Sequence, residues 1–494
     1  MSLWPHQLTA IDLIWRSMAA GHRRPVLMMA TGAGKTKTAA AIVKRALAKG
    51  KRVVFVVPAR ELIDQTVAAF RKEGILEIGV IQADHPETDP TRQVQIASAQ
   101  TLARRALPAA DLVIVDEAHR IQRRVFEWMK LCPKLPFIGL SATPWTKGLG
   151  KHYDDLIIGA TTQQLIREGY LSPFRVFAPS HPDLTGVRTI AGDYAEDELA
   201  QAMDKPQLTA DVVATWLKLG ENRPTLCFAV NRAHARSLER DFQRAGVACA
   251  YVDGNTERTE RNDVRKAFER GDIRVVVNVG VLTTGVDWDV RCLILARPTK
   301  SEMLYVQIIG RGLRSAEGKQ DCIILDHSDT TLNLGFVTDI HHERLSDGNE
   351  RKASSSSRPE RPKPVPKECT SCHYVKPAGV HKCPACGFAP HKVQDVATVQ
   401  GELAHLGGKQ VKASMDDKRR WYAMLLWYEN SKQYKHGWAA NKFREKFGVW
   451  PNGIHVEPIE PDVKVGNWIR STNIRWYKGQ EKAKKAAEAA QHAA

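Results

Sequence analysis

Short apolar runs alternate with amphipathic stretches over the first two thirds of the chain. Apolar runs occupy residues 26–29, 53–57, 112–115 and 137–140, and a second series occupies 225–230, 248–252, 274–279, 292–296 and 322–325. The segments 232–245 and 257–270 are charged and have a helical pattern. Strands of this length separated by helices are typical of parallel sheets covered on both faces. The pattern therefore predicts two tandem α/β domains.

The composition changes beyond residue 345. Residues 346–368 are rich in Ser, Pro and charged residues, which indicates a linker. Two pairs of cysteines follow, and then a region that holds six of the twelve Trp residues. The predicted organisation is an α/β domain at 1–160, an inter-domain connection at 161–206, a second α/β domain at 207–345, a disordered linker at 346–368, a cysteine module at 369–390 and a basic aromatic region at 395–494.

Positive charge is concentrated in the last third of the chain. The net charge is +17 over 494 residues, and residues 341–494 hold 27 Lys+Arg and 16 Asp+Glu, or +11, which leaves +6 for residues 1–340. This distribution favours a nucleic-acid partner over a merely soluble basic surface. No segment has the ~18 consecutive apolar residues of a membrane-spanning helix, so we expect a soluble, cytoplasmic protein without a membrane partner.

A phosphate-binding loop is predicted at residues 30–36, ATGAGKT, between an apolar strand and a helix-forming run. Its backbone N–H groups would bind phosphate oxygens, Lys35 would reach the β and γ phosphates of ATP, and the Thr36 hydroxyl would ligate Mg²⁺. Met29 stands where the general pattern has its first glycine. The predicted ATP-binding residues of this loop are Thr31, Gly32, Ala33, Gly34, Lys35 and Thr36.

An acidic pair follows the third apolar run of the first domain. Asp116 comes directly after the run at 112–115, where a carboxylate would meet Mg²⁺ at the carboxyl edge of the sheet. Glu117 is a candidate general base for the attacking water. The alternative is an acidic pair on the surface.

Residues 116–119, Asp-Glu-Ala-His, spell the DEAH box, and the chain resembles the superfamily 2 helicases over about residues 1–330. PAREL at 58–62 resembles motif Ia, residues 141–143 motif III and residues 226–230 motif IV. LTTGVD at 282–287 resembles motif V, and QIIGRGLR at 307–314 resembles motif VI. The resemblance implies two RecA-like domains with ATP in the cleft between them.

The same resemblance implies roles for further residues. Gln7 would read adenine, and Gly285 and Asp287 would complete the ATP site. Arg311 and Arg314, three apart on a predicted helical face, would approach the γ phosphate, with Arg314 as the preferred arginine finger and Gln307 positioning water or phosphate. An exposed basic helix face is the alternative for the arginines. The remaining implied residues are His119, Ser141 and Thr143 for coupling to movement, and Arg60, Thr101, Thr283 and Thr284 for the nucleic-acid backbone.

Cys369, Cys372, Cys383 and Cys386 form two CxxC pairs whose spacing predicts a tetrahedral Zn²⁺ site. Disulfides and an iron–sulfur cluster are the alternatives. Beyond this module, tryptophans interleave with Lys and Arg, which fits either a nucleic-acid surface or an ordinary helical core stripe formed by Trp421, Leu425 and Tyr428. Domain order and motifs together resemble the RadD-type DNA-repair helicases of bacteria and phages.

We therefore expect a helicase or translocase that depends on ATP and Mg²⁺, carries Zn²⁺ and acts on single-stranded, forked or branched DNA, in repair, recombination or replication. We also expect a monomer when free, with single-strand-binding or repair proteins as further partners. The alternatives are an RNA helicase, a double-strand translocase that does not separate strands, and a nucleic-acid-binding adaptor that uses ATP as a switch.

Overall fold

The computed structural model describes residues 3–82, 85–190, 192–283, 288–348, 365–390 and 414–473. The chain divides into two compact units, residues 1–392 and 393–494, which are described separately. Every helix in these ranges is too short or too polar to cross a lipid bilayer.

The first sheet has seven parallel strands in the order β3-β4-β2-β5-β6-β1-β7. Its elements are α1 (Pro5–Ala19), β1 (Pro25–Met29), α2 (Lys35–Leu47), β2 (Val53–Val57), a 3₁₀ turn at Arg60–Leu62, α3 (Ile63–Lys72), β3 (Ile78–Ile81), β4 (Val94–Ser98), α4 (Ala99–Leu102), β5 (Leu112–Asp116), α5 (Arg123–Leu131), β6 (Phe137–Ser141), a 3₁₀ turn at Leu149–Lys151, β7 (Asp155–Ala160) and α6 (Thr162–Arg167).

All residues of β1, β2, β4 and β6 are buried, because helices cover both faces of the sheet. The α/β prediction for this half of the chain is confirmed. Strands β3, β4 and β7 were not predicted. Each of the three includes glycine or polar residues, which weakens the apolar pattern.

The second sheet has six parallel strands in the order β12-β13-β11-β14-β15-β8. Its elements and those before it are β8 (Phe174–Phe177), the hairpin β9 (Thr189–Ile190) and β10 (Asp193–Tyr194), α7 (Glu196–Met203), α8 (Pro206–Leu219), β11 (Thr225–Phe228), α9 (Arg232–Arg244), β12 (Cys249–Val252), α10 (Arg258–Arg270), β13 (Val275–Asn278), β14 (Cys292–Leu295), α11 (Glu302–Gly312), β15 (Cys322–Asp326) and α12 (Thr330–Leu334).

Strand β8 lies inside the predicted inter-domain connection at 161–206, yet it pairs with β15 as an edge strand of the second sheet. The second sheet therefore includes one strand from before residue 207, and the domain bounds stay a prediction. The register Cys322↔Phe174 joins positions that are far apart in sequence, and local pattern analysis carries no information about such a pairing.

Residues 336–348, here called the return segment, run from the second domain back to the first. The Gly150 N–H donates a hydrogen bond to the Ser346 carbonyl at 2.8 Å, and Leu345 packs against the core of the first domain. The His342 and Trp145 rings lie 4.7 Å apart between centroids. His342 Nε2 also lies 2.8 Å from Glu302 Oε2 in α11, so the return segment contacts both domains.

The cysteine module contains a small antiparallel pair, β16 (Lys367–Glu368) and β17 (Val375–Lys376). It packs against the end of β8, where the Ala178 N–H donates to the His373 carbonyl at 2.9 Å and the Phe177 and Tyr374 rings are 5.6 Å apart. Strand β16 falls inside the predicted linker at 346–368, and residues 349–364 of that linker lie outside the described residues.

The C-terminal unit contains α13 (Met415–Ser431), α14 (Trp438–Phe447) and a helical stretch at 463–473. Met424, Leu425, Phe443, Val465 and Ile469 form its buried core. Trp421 and Tyr428 pack against this core, so the predicted core stripe is present. Trp476 and the tract at 480–494 lie outside the described residues.

Candidate active site

The phosphate loop lies between β1 and α2, in the order that the sequence predicts. Gly32 and Gly34 adopt positive φ angles of 88° and 79°, a region that favours glycine, and Gly34 is the residue directly before α2. Lys35 Nζ donates to the Met29 carbonyl at 3.2 Å. Thr36 is exposed in the first turn of α2.

Gln7, which lies in α1, forms hydrogen bonds with this loop. Its amide nitrogen donates to the Ala33 carbonyl at 3.2 Å, its amide oxygen accepts from the Trp4 N–H at 3.0 Å, and its side chain is fully buried. A Cβ at Gly34 would come within 2.2 Å of Gln7 Nε2, so this contact also requires glycine at 34. Both polar atoms of Gln7 are thus engaged within the protein, and its adenine-reading role stays a prediction.

Asp116 ends β5, and Glu117 follows it with a φ of 49°, which is uncommon for a residue other than glycine. The Glu117 N–H donates to Asp116 Oδ1 at 3.0 Å. Glu117 Oε2 is buried, lies 3.3 Å from His119 Nδ1 and accepts no hydrogen bond from the part of the chain that the structure describes. A strained backbone and an unsatisfied buried oxygen are typical of functional positions.

Charged groups from both domains affect the pKa of Lys35. Burial lowers the pKa of Lys35, the carboxylates of Glu117 and Asp116 raise it, and the guanidinium groups of Arg311 and Arg314 lower it further. Burial and the adjacent Glu117 carboxylate raise the pKa of Asp116 to about 7, against the opposing effect of Lys35. The two carboxylates and the two guanidinium groups therefore all lie close enough to Lys35 to affect its pKa.

Helix α11 of the second domain packs directly on the phosphate loop. A Cβ at Gly310 would lie 2.5 Å from Thr31 Cβ, and a Cβ at Gly32 would lie 3.4 Å from Arg314 Cγ. The Gly310–Thr31 contact was not predicted from the sequence. A glycine inside an otherwise apolar helix was the available signal, because such glycines often mark a close approach.

Arg311 and Arg314 do not share a helical face. Helix α11 ends at Gly312, Arg311 is in its last turn, and Arg314 follows it in an isolated bridge with Leu171. The prediction of one helical face is therefore wrong in its local geometry. Arg311 is buried and its Nε donates to the Thr283 carbonyl at 3.0 Å.

The predicted coupling residues form one hydrogen-bonded chain across the domain boundary. His119 Nδ1 lies 2.9 Å from Ser141 Oγ, which also accepts from the Thr143 N–H at 3.0 Å. Gln307 of the second domain donates from Nε2 to Thr143 Oγ1 at 3.2 Å and lies 3.3 Å from His119 Nε2. Burial lowers the pKa of His119, although the Glu117 carboxylate opposes this effect.

The predicted nucleic-acid contacts that the structure describes differ in their exposure, and their role stays a prediction. Arg60 is exposed after β2, whereas Thr101 is buried and its hydroxyl lies 2.9 Å from Ser98 Oγ at the start of α4. Thr283 is partly buried. Thr284, Gly285 and Asp287 lie outside the described residues.

The four cysteines of the predicted metal site converge. Their sulfur atoms all lie within 4.8 Å of one another, with 3.8 Å between Cys369 and Cys386 and 3.7 Å between Cys372 and Cys383. A tetrahedron around zinc with Zn–S bonds of about 2.3 Å has edges of about 3.8 Å. Disulfide bonds are about 2.05 Å long, so these thiols are reduced and their arrangement fits a Zn²⁺ ion.

The charged and polar groups in the cleft between the two domains suit a nucleotide that is bound together with Mg²⁺. Left-handed glycines open a helix, Lys35 and two arginines supply positive charge, and two adjacent carboxylates, one with a pKa of about 7, would be stabilised by a divalent cation.

Comparison with known proteins matches one family model to most of the first sheet and another to most of the second. Residues 1–146 match the family model described as "Type III restriction enzyme, res subunit", and residues 205–316 match "Helicase conserved C-terminal domain". A "51.5 kDa protein" of a Lactococcus phage is 27% identical over 405 residues, which cover 79% of this chain and 84% of the phage protein.

The "Putative ATP-dependent helicase IRC3" of Saccharomyces cerevisiae is 29% identical over 352 residues, 65% of this chain and 50% of the yeast protein. The structure of the "ATP-dependent Type ISP restriction-modification enzyme LlaBIII bound to DNA" has a TM-score of 0.51 at 18% identity and covers 66% of this chain and 27% of that one. The chain thus spans half or less of these two larger proteins.

The RadD-type resemblance and the DEAH subtype stay predictions. The two family models and the helicase-named relative agree with the two RecA-like folds, and the chain belongs to the ATP-hydrolysing superfamily 2 helicases.

Proposed function

We propose that the chain is a DNA helicase or translocase that couples ATP hydrolysis between its two RecA-like domains to movement along DNA. The observation that carries this proposal is the convergence of Lys35, Asp116 and Glu117 of the first domain with Arg311 and Arg314 of the second. A site completed by groups from two domains forms only when the domains close, and this dependence links hydrolysis to domain motion.

In this proposal the chain's own residues divide the work of phosphoryl transfer. The loop N–H groups and Lys35 hold the β and γ phosphates, and Glu117 orients the attacking water and accepts its proton. Arg311 and Arg314 stabilise the charge that develops on the transferred group. A Mg²⁺ ion held by Thr36 and Asp116 would supply charge neutralisation at the phosphates.

The hydrogen-bonded chain from His119 through Ser141 and Thr143 to Gln307 would couple changes at the ATP site to the position of the second domain. Its members are buried or partly buried, and its link across the boundary is a pair of contacts at 3.2 and 3.3 Å. Small shifts at Glu117, which lies beside His119, would therefore change the fit between the domains.

One observation favours DNA over RNA: the similar restriction-modification enzyme was solved bound to DNA. The excess positive charge of residues 341–494 suits a polyanion of either kind. A role in repair, recombination or replication rests on the RadD-type resemblance alone.

The test is steady-state ATPase activity measured with single-stranded, duplex and forked DNA and with RNA. We expect stimulation by DNA, and loss of about 10²-fold or more in turnover for Lys35→Ala and Glu117→Gln with DNA binding retained. Lys44→Ala is the matched control, because Lys44 is an exposed lysine near the other end of α2. Retained turnover in both site variants would contradict the mechanism, and stronger stimulation by RNA would contradict the choice of DNA.

A further inference from the structure

The end of α14 in the C-terminal unit carries two cations that rest on tryptophan rings. The Arg444 guanidinium carbon lies 4.7 Å from the centroid of Trp450. Lys446 Nζ lies 4.8 Å from the Trp421 centroid and 5.5 Å from the Trp468 centroid. Positive charge and aromatic surface are therefore adjacent at this end of the helix.

Arg444 and Lys446 differ from nearby basic residues in their partners. Lys442 pairs with Glu445 at 2.7 Å, whereas Arg444 and Lys446 form no ion pair with any carboxylate in the described part of the unit, residues 414–473. Their charges are therefore not compensated by neighbours. A charge that rests on an aromatic ring stays available to an anionic ligand.

Among the tryptophans of residues 414–473, Trp450 is the most exposed. It is 45% exposed, whereas Trp421, Trp438 and Trp468 pack against the unit's core. The backbone beside it is restricted on one side, because Pro451 directly follows the ring and its own ring fixes φ. An exposed ring on such a backbone loses little conformational entropy when a ligand stacks on it.

We propose that Trp450 and Arg444 form a stacking site for an unpaired base of single-stranded nucleic acid, with Lys446 attracting the adjacent phosphate. This inference rests on the proposed function, because it assigns the strand-capturing surface of that activity to the C-terminal unit. An aromatic face beside uncompensated cations is the chemistry that single strands recognise, whereas the bases of a duplex offer no free face. An acidic protein segment would use the cations but would gain little from the ring.

The test uses the full chain without nucleotide and two oligomers of equal length, oligo-dT and its abasic counterpart with the same phosphates. We expect Trp450→Ala to weaken binding of oligo-dT by about 5- to 100-fold and to leave binding of the abasic strand within about twofold. Val449→Ala is the matched control, because Val449 is a neighbouring exposed apolar residue without a ring. Arg444→Gln should weaken binding of both oligomers.

Trp450→Leu keeps apolar bulk without an aromatic face and should show the same base-dependent loss if Trp450→Ala fails to fold. Equal losses on both oligomers, or no loss on either, would overturn the stacking site. No loss in the Trp450 variants together with a loss in Arg444→Gln would leave Arg444 as a phosphate contact without a stacked base. ATPase stimulation of the unaltered chain tests the proposed function separately. Absent stimulation with a base-dependent loss at Trp450 would refute the motor function and leave the stacking site standing.

Discussion

Replacing Gly310 with Ala tests whether contact between α11 and the phosphate loop is required for turnover. The new Cβ would lie 2.5 Å from Thr31 Cβ, 2.9 Å from its Oγ1 and 3.0 Å from its Cγ2. Carbon atoms pack at about 3.5–4.0 Å, so the second domain must move away from the first by about 1 Å. Arg311, one residue along the helix, would move with it.

A displacement of about 1 Å at a phosphoryl-transfer site costs about 10²-fold in rate, or about 2.7 kcal/mol in the barrier. The substitution should at the same time stabilise α11 itself, because alanine is favoured over glycine inside a helix by about 1 kcal/mol. We therefore expect Gly310→Ala to lower ATPase turnover about 100-fold without lowering the thermal unfolding midpoint.

Gly312→Ala is the matched control in the same helix. Its Cβ would lie 2.5 Å from Cys322 Sγ and 2.7 Å from Leu293 Cδ1, both inside the second domain, so it should cost about 1–3 kcal/mol of stability. The assays are steady-state ATP hydrolysis, nucleotide binding and thermal unfolding. Unchanged turnover in Gly310→Ala, or a drop in its midpoint equal to that of Gly312→Ala, would refute the reasoning. Adding Thr31→Gly to Gly310→Ala removes the clashing atoms and should restore part of the turnover.

Two further predictions concern stability. Burial lowers the pKa of His327 to about 4, so the unfolded state binds the proton first and stability should fall by up to about 3 kcal/mol as pH drops from about 6.5 to 4. If the thermal unfolding midpoint falls equally with pH in the unaltered chain and in His327→Asn, His327 is not the cause. Cys372→Ser should abolish stoichiometric zinc and lower the unfolding midpoint of the second domain, because the cysteine module packs on β8. Metal analysis with calorimetry checks both effects, and Cys132→Ser, remote from the sulfur cluster in the first domain, is the control.

The strands that could be predicted from sequence are those with continuous apolar runs. β2 and β5 read as Val- and Ile-rich segments, and their positions were predicted to within a residue. β8 was missed because its FRVF sequence carries no strong pattern and its partner β15 lies far along the chain. Pairing over such distances is decided by tertiary packing, which local patterns do not record.

The charged residues of the cleft were identified by motif, but their local geometry was not. Asp116 and Arg311 both lie close enough to Lys35 to affect its pKa, whereas the helix that was expected to carry Arg314 ends two residues before it. Gln7 was expected to bind adenine, and nothing in the sequence predicted that its side-chain amide donates a hydrogen bond to the phosphate loop. Motifs report which residue types a site requires, and hydrogen bonding in the folded chain decides how each one is held.

The position of β8 has a consequence for biosynthesis. Phe174 emerges from the ribosome 148 residues before Cys322, its register partner. At about 5–20 residues per second, this edge strand waits roughly 7–30 s before the sheet it belongs to can be completed. A nascent chain that ends before β15 therefore exposes an unpaired strand, and the cysteine module, made later still, can dock only after that strand has found its place.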